Sequence, residues 1–217
     1  MKKTIPVILL AALLSVSCTD SGSDAKSDSP LTVNTSGNTY VNGFFGLQVE
    51  KPAEWYAQSA EETIMLQQQG NKVLAGDDEN MKKMIEAAME SSLPLFGFFE
   101  YPPGTPGKMN PNVLSVAENI KMYPGIKDPC DYVKAVKQIL QQGQLSYEFD
   151  GECQSTTIGG KQAGYLDASL KVGTFDIGQR YHALITDGYA VSIIQTYMDE
   201  ESHAKVDAVM DSIRFNP

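Results

Sequence analysis

Histidines and clustered carboxylates are the residue types from which metal sites and acid–base centres are most often built. The chain has only two histidines, His182 and His203, and neither lies beside a cysteine or a carboxylate pair at a metal-ligand spacing. Asp77, Asp78 and Glu79 form an acidic triplet, but it lacks the spacing and the glycine of a calcium-binding loop. The sequence therefore predicts no metal site and no cofactor.

The short motifs of common enzyme classes do not occur in this sequence. It contains no Gly-x-Ser-x-Gly nucleophile elbow, no Walker-type phosphate loop, no dinucleotide-binding glycine pattern and no His-Glu-x-x-His helix. Each of these motifs holds a nucleophile, a phosphate or a metal in a fixed geometry. Their absence favours a non-catalytic protein, and the remaining enzymatic alternative is a site assembled from Tyr and Asp residues at distant positions.

The cysteines are the residues with the clearest chemical role. Cys18 ends an N-terminal leader, which leaves Cys130 and Cys153 in the folded part. An even number of cysteines in an exported chain favours a disulfide, since export leads to an oxidising compartment. Closing this ring would stabilise the fold by about 3 kcal/mol in the chain-entropy description. The alternative is that the two residues are unpaired small hydrophobes.

The first residues have the features of an export signal. A basic start and an apolar run too short to span a bilayer occupy residues 1–14. The Ser-Val-Ser-Cys at 15–18 resembles the cleavage site of a bacterial lipoprotein, except that Ser15 stands where the family usually has Leu. The resemblance implies that residues 1–17 are a signal peptide and that Cys18 is the lipid-attachment residue, acylated with palmitate among other chains. Ordinary secretory cleavage nearby and an uncleaved anchor are the alternatives.

The mature chain is then expected to be held by its lipid to a membrane of the bacterial envelope, facing the periplasm or the exterior. Residues 18–38 are rich in Ser, Asp, Gly and Thr, which predicts a flexible tether, and residues 39–217 are predicted to form a single domain. The net charge of −10 argues against nucleic acid as a partner and against electrostatic docking on anionic lipid.

The last third of the chain indicates how the domain is built. Asp187-Gly188 joins two apolar runs, and this dipeptide is a strong signal for a two-residue β-hairpin. Closely spaced turns upstream indicate an antiparallel meander. Helices are predicted after Asp199, after Asp128-Pro129 and after Asp78, where methionines at helical spacing are expected to pack in the core. A Cys130–Cys153 bridge would join the second of these helices to the sheet.

Several segments follow a pattern of strand ends, turns and a closing helix that covers nearly all of Tyr40 to Phe215. They are Phe45-Gly46-Leu47, Lys51-Pro52-x-x-Trp55, Asn112 to Glu118, the helix around Tyr132, Gln179-x-Tyr181, Asp187-Gly188-Tyr189-Ala190, Thr196-Tyr197 and Asp211-Ser212-Ile213-Arg214-Phe215. This pattern resembles the PsbP-like fold, which includes the photosystem II extrinsic subunit, the Ran-binding Mog proteins and bacterial DcrB-type lipoproteins. The resemblance implies an α+β fold, an α/β/α sandwich with a mainly antiparallel sheet flanked by helices. It also implies a non-catalytic role in binding a partner and carries over no functional residue.

These features together predict a membrane-anchored accessory or assembly factor that binds another protein and catalyses no reaction. The first alternative is a carrier of a small ligand or lipid that uses a groove between the sheet and the helices. The second alternative is an enzyme whose site is spread over the sheet. Neither the leader nor the acidic surface distinguishes among the three.

Overall fold

The computed structural model describes residues 29–30 and 33–215. The predicted signal peptide (1–17), Cys18 and most of the predicted tether lie outside the described residues. The elements, in chain order, are β1 (Val33–Ser36), β2 (Thr39–Asn42), β3 (Leu47–Glu50), β4 (Tyr56–Ala57), α1 (Ala60–Ala75), α2 (Glu79–Glu90), β5 (Ser92–Phe99), β6 (Asn112–Asn119), α3 (Pro129–Gln142), β7 (Tyr147–Ile158), β8 (Lys161–Val172), β9 (Phe175–Thr186), β10 (Tyr189–Tyr197), α4 (Glu200–Asp211) and β11 (Arg214–Phe215). In the part of the chain that is described, no helix is both long enough and apolar enough to cross a membrane.

Seven strands form the larger sheet, in the order β4-β5-β6-β10-β9-β8-β7, and every neighbouring pair is antiparallel. The strands from β7 to β10 are a meander, as the closely spaced turns predict. Asp187 and Gly188 join β9 to β10 with φ of 55° and 80°, the left-handed backbone that a tight hairpin turn requires. The fold is therefore α+β with a mainly antiparallel sheet, as predicted.

The two faces of the larger sheet are covered by different helices. On β10, Val191 and Ile193 pack in one core with the α4 residues Val206 and Val209, whereas Ala190 packs in another core with α3. Successive side chains of a strand point to opposite faces, so α4 and α3 lie on opposite sides of the sheet. Helices α1 and α2 share the α3 side, because their buried residues pack in one core with those of α3. This is the predicted α/β/α layering.

A second, four-stranded sheet in the order β1-β2-β3-β11 is a feature that the sequence does not predict. Leu47 and Val49 of β3 are fully buried in the core that α4 shares with the larger sheet. Strand β1 falls inside residues 18–38, so the ordered domain begins earlier than the predicted boundary at residue 39. The reason is that β1 gains its backbone hydrogen bonds by pairing with β2, which composition alone does not reveal.

The predicted helix starts are found at their expected residues. The side chains of Asp78, Asp128 and Asp199 accept hydrogen bonds from first-turn backbone N–H groups of α2, α3 and α4, respectively. Such caps satisfy backbone donors that have no partner within the helix. The sequence therefore locates the beginnings of three of the helices correctly.

Candidate functional site

Cys130 and Cys153 are joined by a disulfide, with their Cα atoms 5.5 Å apart. Cys130 lies in the first turn of α3 and Cys153 lies on β7, so the bridge ties this helix to the edge strand of the larger sheet. Gly164 on β8 lies directly beneath the bridge, where a Cβ atom would come within 2.8 Å of Cys153 Sγ and 2.9 Å of Cys130 Sγ. A glycine is therefore needed where the bridge crosses β8.

Asn42 fixes the point at which the chain enters the domain. Its side chain is fully buried, and its Nδ2 donates to the backbone carbonyl of Pro30 at 2.9 Å. Its Oδ1 accepts from the backbone N–H groups of Phe44 and Phe45 at 3.1 and 3.2 Å. The chain toward Cys18 thus leaves from the smaller sheet. Lipid attachment at Cys18 stays a prediction, because that residue lies outside the described part.

A polar chain crosses the sheet face that α4 covers. His182 Nε2 on β9 lies 2.8 Å from Gln195 Oε1 on β10, and Gln195 Nε2 donates to Asp207 Oδ1 on α4 at 2.7 Å. His182 is buried, and this burial lowers its pKa to about 4 by disfavouring the charged imidazolium. The ring is therefore neutral near neutral pH, and its Nε2 carries the proton because it faces the oxygen of Gln195.

Further polar and aromatic groups surround this chain. Arg180 makes two hydrogen bonds to Asp167, of 2.6 and 3.0 Å, and its guanidinium lies 4.8 Å from the ring centre of Tyr165. The ring of His203 on α4 stacks on Tyr197 with centroids 3.9 Å apart. The stacking of Tyr197 and His203 joins β10 to α4, whereas the contacts of Arg180 link β9 to β8.

Only one ring nitrogen of His182 has a hydrogen-bond partner among the described residues. Its Nδ1 has no hydrogen-bond partner within residues 33–215, and its Nε2 is occupied by Gln195. A histidine that activates a nucleophile needs a hydroxyl or thiol within hydrogen-bonding distance. Among the described residues, no group of three or more His, Cys, Asp or Glu side chains is arranged to hold a metal ion. The two hydrogen bonds of the polar chain join β9, β10 and α4.

A groove of about 200 Å³ opens on the opposite face, between α1, α2, α3 and β6. Its apolar lining consists of Leu74, Met84, Ile85, Ala88, Met89, Val136, Ile139 and Leu140. Glu118 of β6 also lines it, and the Tyr132 hydroxyl of α3 donates to Glu118 Oε2 at 3.0 Å. Burial raises the pKa of Glu118. We shall call this feature the helical groove.

The residues of the helical groove are not singled out as a site by the sequence. Glu118 and Tyr132 are 14 positions apart and belong to no motif, and they meet only because α3 packs on β8, β9 and β10, beside β6. The one available signal is the carboxylate of Glu118 in a strand whose other residues include Val113, Leu114, Val116 and Ala117. A charge in such a strand indicates a local partner or a site.

The helical hairpin formed by α1 and α2 exposes large apolar side chains. The exposed fractions are 38% for Ile64, 54% for Met65, 57% for Val73 and 40% for Met84. Met81 and Ile85 of α2 are buried, as the predicted core stripe requires, but Met84 of the same stripe is not. The prediction that all these methionines pack in the core is thus right only in part.

No family model and no curated protein matches this chain. Several solved structures are similar to it at low identity. PsbP (CyanoP) from Synechocystis sp. PCC 6803 is 12% identical, with a TM-score of 0.48 over 82% of this chain and 91% of CyanoP. LpqN of Mycobacterium tuberculosis, described as involved in cell envelope biogenesis, is 16% identical, with a TM-score of 0.40 over 79% of this chain and 83% of LpqN.

Protein PA94 of Pseudomonas aeruginosa, described as of unknown function, is 15% identical, with a TM-score of 0.41 over 56% of this chain and 82% of that protein. All three TM-scores are below 0.5. The α+β architecture described above rests on the strand pairing and helix packing of this chain itself.

Proposed function

We propose that this chain is a lipid-anchored accessory protein of the bacterial cell envelope whose domain binds another protein and catalyses no reaction. The leader and the cysteine at its end support the location. The observation that carries the proposed binding role is the apolar exposure of the α1–α2 hairpin. Among the described residues, four of the eight exposed large hydrophobic side chains lie on these two helices. Exposed apolar surface of this kind is typical of protein interaction sites.

The charge of the hairpin restricts the partner. From Ala60 to Glu90 the sequence has seven acidic residues and three lysines, a net charge of −4. A partner that covers Met65 and Val73 is therefore expected to present apolar side chains ringed by basic ones, since complementary charge guides association and excludes like-charged surfaces. The proposed anchor would confine this recognition to a membrane surface.

The first test is crosslinking of the full-length protein in cells, followed by purification and mass spectrometry. We expect one stoichiometric partner, whose recovery decreases with Cys18→Ala because the protein then leaves the membrane. Recovery should also decrease at least tenfold with Met65→Lys combined with Val73→Lys, since the charges would be buried unpaired at the interface.

The matched control is Val172→Lys combined with Phe175→Lys. These side chains are 46% and 52% exposed on the β8–β9 hairpin, away from α1 and α2, so this variant should retain the partner. Recovery of only abundant envelope proteins, or equal loss in both double variants, would contradict the proposal.

The helical groove favours a second candidate function, that of a small-ligand carrier. It is a concave, mainly apolar site between the sheet and the helices, which is the usual form of a small-molecule site. A carrier is stabilised by its ligand, since a molecule that binds only the folded state raises the melting temperature. Octylammonium, octanoate and octanol are the probes for this function.

A further inference from the structure

The helical groove contains one acidic side chain and no basic one. Of the residues that line it, Glu118 alone is ionisable to a negative charge near neutral pH, and none is Lys, Arg or His. The Tyr132 hydroxyl donates a hydrogen bond to Glu118 and Ser91 also interacts with this carboxylate, but neither group carries a charge. A carboxylate desolvated in this way gains most from a ligand that brings a positive charge.

The rest of the groove suits an unbranched apolar chain. Met84 and Met89 of α2 line it together with Val136 and Ile139 of α3. Methionine side chains are flexible and adapt to ligands of irregular shape. The Sδ atom of Met89 also accepts a hydrogen bond from Asn71 Nδ2 at 3.0 Å, which connects α1 to the groove wall. An occupant would therefore touch all three helices.

We propose that the helical groove binds a single-chain amphiphile with a primary ammonium head, the head at Glu118 and the chain along α1, α2 and α3. This inference rests on the carrier function given above as the second candidate. An anionic head would place like charges together in a poorly hydrated site, and a purely apolar molecule would leave the carboxylate without a counter-charge. The ammonium group supplies the positive charge that Glu118 lacks, together with further hydrogen-bond donors.

The test compares octylammonium, octanoate and octanol by calorimetric titration of the mature chain carrying Cys18→Ala, which has no acyl chains and needs no detergent. We expect octylammonium to bind with one-to-one stoichiometry and at least tenfold more tightly than octanoate. Within the alkylammonium series from butyl to octyl, each added methylene should tighten binding about fourfold, the affinity equivalent of burying one CH₂.

Variants assign the charge preference to one side chain. Glu118→Gln should remove the preference for octylammonium over octanol while octanol still binds. The control is Glu90→Gln, which makes the same change of charge at the end of α2 on a residue that does not line the groove. This variant should keep the preference for octylammonium over octanol. Thermal melting of both variants without ligand verifies that they are folded.

The possible failures are distinguishable. If octanoate binds as tightly as octylammonium, or if Glu118→Gln keeps the preference, the ammonium inference is wrong while the carrier function stands. If none of the alkyl compounds binds, both the ammonium inference and the carrier function are wrong. Neither result bears on the crosslinking of a protein partner, which tests the first proposal through the α1–α2 surface.

Discussion

His182 is a histidine that the fold keeps uncharged. Its ring is enclosed by the sheet and α4, and its one hydrogen-bond partner in the described chain is the amide of Gln195. The charged groups around the ring are Arg180, Asp167 and Asp207. Burial is the largest influence and lowers the pKa of His182 from 6.5 to about 4 in the folded protein. The unfolded chain therefore binds this proton more readily than the folded one does.

This difference predicts a pH dependence of stability. Above about pH 6.5 the histidine is neutral in both states, whereas between about pH 6.5 and 4 only the unfolded chain becomes protonated, so the free energy of unfolding decreases as the pH falls. The decrease attributable to His182 is up to about 3 kcal/mol, at 1.36 kcal/mol per pKa unit.

The measurement is urea unfolding across this range for the wild-type protein and for His182→Gln, which has no titrating group at that position. The stability of the wild-type protein should fall more steeply with decreasing pH than that of His182→Gln, because the carboxylates titrate in both proteins and their contributions cancel in the difference. Parallel curves would contradict the assignment of this pH dependence to His182.

At the scale of elements, the disulfide is the covalent tie between α3 and the sheet. Replacing Cys130 and Cys153 together by Ala should lower the free energy of unfolding by about 3 kcal/mol, because the open ring gives the unfolded chain more conformations. Urea unfolding measures this change. An unchanged midpoint would mean that the bridge does not constrain the unfolded chain.

The same bridge makes Gly164 intolerant of substitution. Gly164→Ala places a methyl group against both sulfur atoms and should cost about 1–3 kcal/mol, the usual cost of overpacking. In the Cys130→Ala and Cys153→Ala background the cost should be smaller, since the sulfur atoms are gone. A double-mutant cycle of unfolding free energies checks this, and purely additive values would contradict the proposed clash.

The sequence predicts those elements whose signals are local. The caps at Asp128 and Asp199 and the Asp187-Gly188 turn are each encoded within a few residues, and the structure has them where they are predicted. The smaller sheet has no such signal, because its strands are at most four residues long and β11 joins it from the other end of the chain. The residues of the helical groove have no local signal either, since its walls come from five separate elements.

At the scale of the whole molecule, the two sheets share one core. Leu47 of the smaller sheet is fully buried there, together with Leu184 of the larger sheet and Ile213 at the end of α4. Leu47→Ala should lower the free energy of unfolding by about 2–5 kcal/mol, because it removes buried methyl groups and leaves a cavity.

The control for Leu47→Ala is Val172→Ala, since Val172 is largely exposed on the β8–β9 hairpin. This variant should change stability by no more than about 0.5 kcal/mol. Equal effects of the two substitutions in urea unfolding would mean that the smaller sheet is not part of the cooperative core.

The pairing of β11 with β3 also has a consequence for the time course of folding. Phe215 lies opposite Leu47, so this contact joins segments from nearly opposite ends of the chain, and contacts of such large sequence separation form slowly. The strands from β7 to β10 each pair with the next strand in the sequence, so their contacts can form early in folding. When the chain is made from its N-terminus, the larger sheet can therefore begin to assemble before α4 and β11 are complete. The core residues Val191 and Ile193 stay without the cover of α4 and the smaller sheet until those last elements form, and until then the incomplete domain is open to proteases and chaperones.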